Sequence, residues 1–179
     1  MPGTDVRARS RAWVERFVVG LGLCPFAAAP LRKGRVRFAL VEGKDAVSLY
    51  RGCLAEVLRL VETAPEQIET TLVIVPDGLG EFADYLGMLR NVEDALSEAG
   101  LEGVLQIASF HPDYRFEGAA PDDPANYTNR APYPMFHLIR EAGLAAALES
   151  YAAPERIPER NAALLRELGL DAVRRLLVG

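Results

Sequence analysis

Three short apolar runs separated by two amphipathic stretches constrain this chain more than any other feature. The runs lie at residues 35–42 (RVRFALVE), 70–75 (TTLVIV) and 103–109 (GVLQIAS), and their length and β-branched content predict strands. Between the first two, the stretch from Asp45 to about Glu62 carries Val47, Tyr50, Leu54, Val57, Leu58 and Val61 at helical spacing, which predicts the buried stripe of a helix. Between the last two, Phe82, Leu86, Leu89, Val92 and Leu96 predict a second helix, with Gly100 suited to its C-cap. A β-α-β-α-β order implies parallel strands, because parallel neighbours need a long connection and a helix supplies it while covering one face. The expected fold is therefore α/β and three-layer-like, with a small, mainly parallel sheet, an N-terminal helix and C-terminal helices.

The flanks extend this frame. Residues 5–19 place Val6, Trp13, Val14, Phe17 and Val18 at near-helical spacing, with Thr4 or Asp5 as N-cap and Gly20 and Gly22 as stop signals. The proline in Leu23-Cys24-Pro25-Phe26-Ala27 makes that stretch a turn or connector. Pro134 predicts the first residue of a helix through about Leu148, Pro158 opens another ending near Gly169, and a last short helix starts at Asp171. At 179 residues the chain fits one domain with a sizeable core, and no repeat or linker divides it.

Composition narrows the partners. A net charge of -5 with scattered arginines leaves no basic stripe, which argues against nucleic acid. No apolar run reaches the roughly 18 residues needed to span a bilayer, and charges interrupt the N-terminus where a signal peptide would be apolar, so a cytoplasmic location is expected. Two cysteines, Cys24 and Cys53, are too few for a disulfide framework. Cys53 lies within an amphipathic helix and reads as packing, whereas Cys24 lies in a connector, where a thiol is a candidate nucleophile or ligand as well as a small buried group.

The segment Ser109 to Arg140 concentrates the unusual residues. It holds both histidines, five of 12 prolines and six of the 14 Phe, Tyr and Trp residues, an inventory that a plain surface loop does not need. His111 lies just past a strand end, where active residues of such sheets gather; it is a candidate acid, base or ligand, or a structural histidine bonded to Asp113. His137 falls inside the helix expected from Pro134, as a ligand or a satisfied, partly buried histidine. Arg130 is the candidate for holding an anionic group, with Asn126, Tyr127, Asn129 and Arg140 as further binding residues; the competing reading is that such groups tie down the loop's own backbone. Cys24, His111 and His137 could supply three ligands to zinc or iron with a position left open, or Cys24 could act as nucleophile with His111 as base and Asp113 as its orienter. The chain lacks GxGxxG after the first strand, GxxxxGK[ST], CxxC, HExxH and GxSxG, which weakens the common nucleotide, redox and hydrolase readings.

GLGLCPFA at 20–27, ETTLVIVPDGL at 69–79, LEGVLQIASFHPDYRFEG at 101–118 and PDDPANYTNRAPYPMFHLIREA at 121–142 together carry a resemblance. The chain resembles the bacterial and plant family designated domain of unknown function 1415 over about residues 5–170. That likeness implies no particular activity; it marks Cys24-Pro25-Phe26, His111-Pro112-Asp113-Tyr114 and Asn126 to Arg130 as candidate positions. The leading expectation is a small cytoplasmic enzyme acting on a small polar or anionic molecule, metal-dependent or thiol-based, and able to form a homo-oligomer. The alternative is a non-catalytic ligand- or protein-binding module built on the 109–140 segment, and a third reading makes that segment a structural cover on the sheet edge.

Overall fold

The expected strands are present at Val36–Leu40 (β1), Thr70–Ile74 (β2) and Leu105–Phe110 (β3), but a fourth, β4 (Met135–Arg140), has entered between the last two. The computed structural model describes residues 2–149 and 151–178. The sheet order is β1-β2-β4-β3, with β1 parallel to β2 and β4 antiparallel to both of its neighbours. The fold is mixed α/β, and the expectation of a mainly parallel sheet is corrected: one strand pair is parallel and two are antiparallel. The helix expected from Pro134 to Leu148 is likewise corrected to β4 followed by α5 (Glu141–Glu149). Phe136 and Leu138 face one core and Met135 faces the other, so the central strand is apolar on both sides and gives no alternating pattern.

Helices cover both faces. On one side, α3 (Ala46–Glu62) and α4 (Phe82–Glu98) bury Leu49, Cys53, Val57 and Leu60 together with Tyr85, Met88, Val92 and Leu96. Asp45 caps α3 through the Ser48 backbone N–H. The stripe expected on α3 is rotated: Val47 and Leu58 are each 58% exposed, while Leu49 and Leu60 lie inside. On the other side, α1 (Pro2–Trp13) and its continuation pack with α6 (Ile157–Leu168) and α7 (Leu170–Val178) over Leu72, Ile74 and Met135. Each large apolar side chain so buried contributes roughly 1.5–3 kcal/mol.

The helix that opens the chain does not end as an α-helix. Val14–Val19 widen into a π-helical turn, in which the N–H groups of Gly20 and Leu23 reach back five residues to Glu15 and Val18. A Cβ on Gly20 would come within 2.1 Å of the Arg16 carbonyl oxygen, so only glycine fits where this turn closes. The chain then enters the Cys24 connector and the short helix α2 (Ala28–Arg32). No helix of the described residues is long and apolar enough to cross a membrane.

Candidate functional site

Strand β3 ends by sending two consecutive aromatic rings to opposite sides of the sheet. Phe110 packs edge-on to Trp13 at 5.3 Å between ring centroids and lies 6.4 Å from the ring of His137. His111 instead packs beside Phe82 and Tyr85 of α4, at 5.3 and 5.2 Å. The two histidines are therefore on different faces, and the joint Cys24, His111 and His137 metal centre expected from the sequence does not form. Among the described residues, no group of three or more His, Cys, Asp or Glu side chains is placed to hold a metal ion.

His111 is fully buried and both of its ring nitrogens are engaged by backbone. Nδ1 accepts the Asp113 backbone N–H at 3.0 Å, which places the ring proton on Nε2, and Nε2 donates it to the Leu79 carbonyl at 2.9 Å. Leu79 has φ +58°, a left-handed conformation unfavourable for a leucine, so the histidine also holds a strained turn in place. Both ring nitrogens of His111 thus have backbone partners, and the Cys24–His111–Asp113 triad is not assembled, because Asp113 meets the ring through its backbone.

Most of the expected binding residues are likewise tied to backbone. Asn126 is fully buried, accepting from the Phe116 N–H and donating to the Ala120 carbonyl. Asn129 donates to the Ser109 carbonyl. Arg130 donates to the carbonyls of Tyr114 and Pro121 and stacks 4.5 Å above the Tyr127 ring, whose hydroxyl accepts from Arg174. Arg140 donates to the carbonyls of Leu60 and Thr63 at the end of α3 and of Ile68 just before β2. The backbone of residues 111–134 forms no strand, and Asn126 and Arg130 satisfy part of it, while Asn129 and Arg140 tie down carbonyls outside it.

Cys24 and His137 do share a wall. A cavity of about 410 Å³ opens between the π-helical turn, the Cys24 connector, the sheet and α5, lined by Trp13, Cys24, Thr70, Phe110, His137 and Tyr151 among mainly apolar neighbours. The connector is fixed from α6, where Arg160 and Asn161 donate to the carbonyls of Gly22 and Leu23. Burial raises the Cys24 thiol above its usual range, partly offset by the Phe26 and Ala27 N–H groups. Burial also lowers His137 to about 4, so the imidazole is neutral at pH 7. The Thr70 hydroxyl lies 2.6 Å from both His137 Nε2 and the Leu138 carbonyl; having one proton to give, it satisfies both by donating to the carbonyl and accepting from Nε2. That tautomer leaves the Nδ1 lone pair available. Trp13 is 4% exposed, and its indole N–H is buried without an acceptor. Trp13, Thr70 and Phe110 were not singled out from sequence as site residues; the one usable signal was that Trp13 is the only tryptophan.

The depressed His137 value gives a pH dependence of fixed sign. Between about 6.5 and 4 the unfolded chain binds a proton that the folded chain refuses, so this group's contribution to stability falls as pH drops through that window. Acidifying from pH 7 to 4.5 should therefore cost on the order of 1–3 kcal/mol more in the parent protein than in His137→Gln, compared by denaturant titration. Cys24, Glu69, Arg140 and Tyr151, which line the same cavity, are common to both proteins and cancel in the difference. Equal pH slopes would show that His137 is not held neutral by its surroundings.

No curated protein and no solved structure matches the chain. A family model does match, over residues 5–175, and the chain belongs to the family described as protein of unknown function (DUF1415).

Proposed function

We propose that the protein binds a small, mostly apolar molecule carrying a hydrogen-bond acceptor, in the cavity beneath the Cys24 connector. The observation that carries this reading is a mainly apolar cavity of about 410 Å³ lined by Trp13, a residue whose buried indole N–H has no acceptor in the protein. An unmet buried donor costs about 1–3 kcal/mol, which a ligand acceptor would recover. The cavity volume falls in the range of small-molecule sites, which are concave, mainly apolar and orient their ligands with a few polar groups. The Nδ1 lone pair of His137 offers a second, complementary contact for a ligand donor.

Binding is favoured over thiol catalysis as the resting role. A raised thiol and a lowered imidazole both keep the proton on sulfur, whereas a cysteine nucleophile needs the thiolate. The enzymatic form of this reading would use Cys24 and His137 on a bound substrate, in a cytoplasmic setting that keeps the thiol reduced. In that case Cys24→Ser would abolish turnover without weakening binding.

The lone tryptophan makes the test direct, because its indole N–H gives a single side-chain resonance in a proton–nitrogen correlation spectrum. Cyclohexanone should move that resonance downfield and saturate, while cyclohexane, of similar shape but without an acceptor, should leave it nearly in place. Absence of a saturable shift with millimolar cyclohexanone, or equal shifts with both, would overturn the proposal.

A further inference from the structure

A second cavity, of about 760 Å³, begins where the first one ends. Val18, Cys24 and Phe110 line both, so the thiol and one phenyl ring form the partition between two adjoining spaces. The outer space is bounded by the 116–120 loop, the Asp123 to Asn129 segment and α6 from Ile157 to Arg166. Its walls combine apolar groups such as Phe116, Ile157 and Pro158 with the side chains of Thr128 and Asn129. Its one arginine, Arg166, is held by Asp123 through two hydrogen bonds of 3.0 and 2.7 Å, so its charge is matched within the protein. A free anion entering there would meet the Asp123 carboxylate alongside the guanidinium and gain little.

Resting on the binding reading above, we infer that the ligand is an elongated, uncharged molecule that threads past Cys24 and Phe110. Its acceptor end meets Trp13 in the inner cavity, and its apolar tail continues into the outer one. Burying each additional methylene should tighten binding about fourfold until the outer space is filled.

The probes are cyclohexanone, 2-hexanone, 2-octanone, 2-decanone and decanoate, added to nitrogen-15-labelled protein. We expect cyclohexanone to move the Trp13 indole resonance alone, and the longer ketones to move it together with the Asn129 backbone amide at one common dissociation constant. Affinity should rise about 250-fold from 2-hexanone to 2-decanone, and Ala162→Phe, which narrows the outer space, should remove that gain while leaving cyclohexanone binding intact. Ketone binding with no length dependence and a stationary Asn129 would refute the elongated ligand and leave the inner site standing. Decanoate binding more tightly than 2-decanone would refute the uncharged end. Failure of every ketone to move the indole resonance would remove both readings together.

Discussion

His111→Ala should lower the unfolding free energy by roughly 3–5 kcal/mol, among the largest effects of any single substitution in this chain. Three losses combine. The Asp113 N–H and the Leu79 carbonyl each lose a partner inside the protein, at about 1–3 kcal/mol apiece. The ring also leaves a void beside Phe82 and Tyr85. The left-handed Leu79 turn loses the hydrogen bond that fixes it, so the damage should spread to the start of α4. Denaturant unfolding of the parent and the variant measures the difference. A variant with stability within 1 kcal/mol of the parent but a silent Trp13 response to cyclohexanone would instead restore His111 to the functional site.

Arg140→Met should cost roughly 2–4 kcal/mol, for a different reason. The last carbonyls of a helix have no partner within it and carry its negative pole, and a partly buried guanidinium answers both needs. Arg140 does so for α3 from the far end of β4, joining the Leu60 carbonyl in the last turn of α3 to those of Thr63 and Ile68 in the connection to β2. Methionine keeps the apolar stem and removes every donor. Arg140→Lys should recover part of the loss, since an ammonium supplies charge but not the planar fork. Amide exchange localises the effect: the last turn of α3 should exchange faster in Arg140→Met, while the core of α4 should not. Uniform acceleration across both helices would contradict the capping role.

What was legible in the sequence was the part dictated by local periodicity. The three first strands, the two long helices between them and the C-terminal helices appear where apolar spacing and capping residues place them. Strand β4 was hidden because MFHLIR is apolar toward both faces, and because the helix-forming EAGLAAALE that follows extends naturally back to Pro134. The face of α3 was misjudged for a related reason. That helix has apolar residues around most of its circumference, and the packing of Leu49, Cys53 and Leu60 against the sheet decides which of them are buried.

The candidate site was legible as residue types and not as geometry. Cys24 and His137 stood out as reactive groups in unusual places, yet their common wall depends on β4 being a strand. The 109–140 segment stands out for its histidines, prolines and aromatics, and its Asn, Asp, Arg and Tyr residues supply the donors and acceptors of a binding site. A long ordered loop without strand partners needs those same residues to satisfy its own backbone, and the two demands leave one signature in sequence. Trp13 could not be identified as a free donor, because an unmet hydrogen bond is a property of the assembled core.

The insertion of β4 also sets how the chain must be made. β2 and β3 have no hydrogen bonds to each other and are joined only through a strand that follows β3 by some 25 residues. On the ribosome, at about 5–20 residues per second, β3 would wait a few seconds with a bare edge while residues 111–140 are added, and β2, which is made earlier, would wait longer. Bare apolar edges are templates for pairing with other chains. The nascent protein therefore passes through an aggregation-prone interval that closes only when β4 slots in, and a chain cut before Met135 would never leave it.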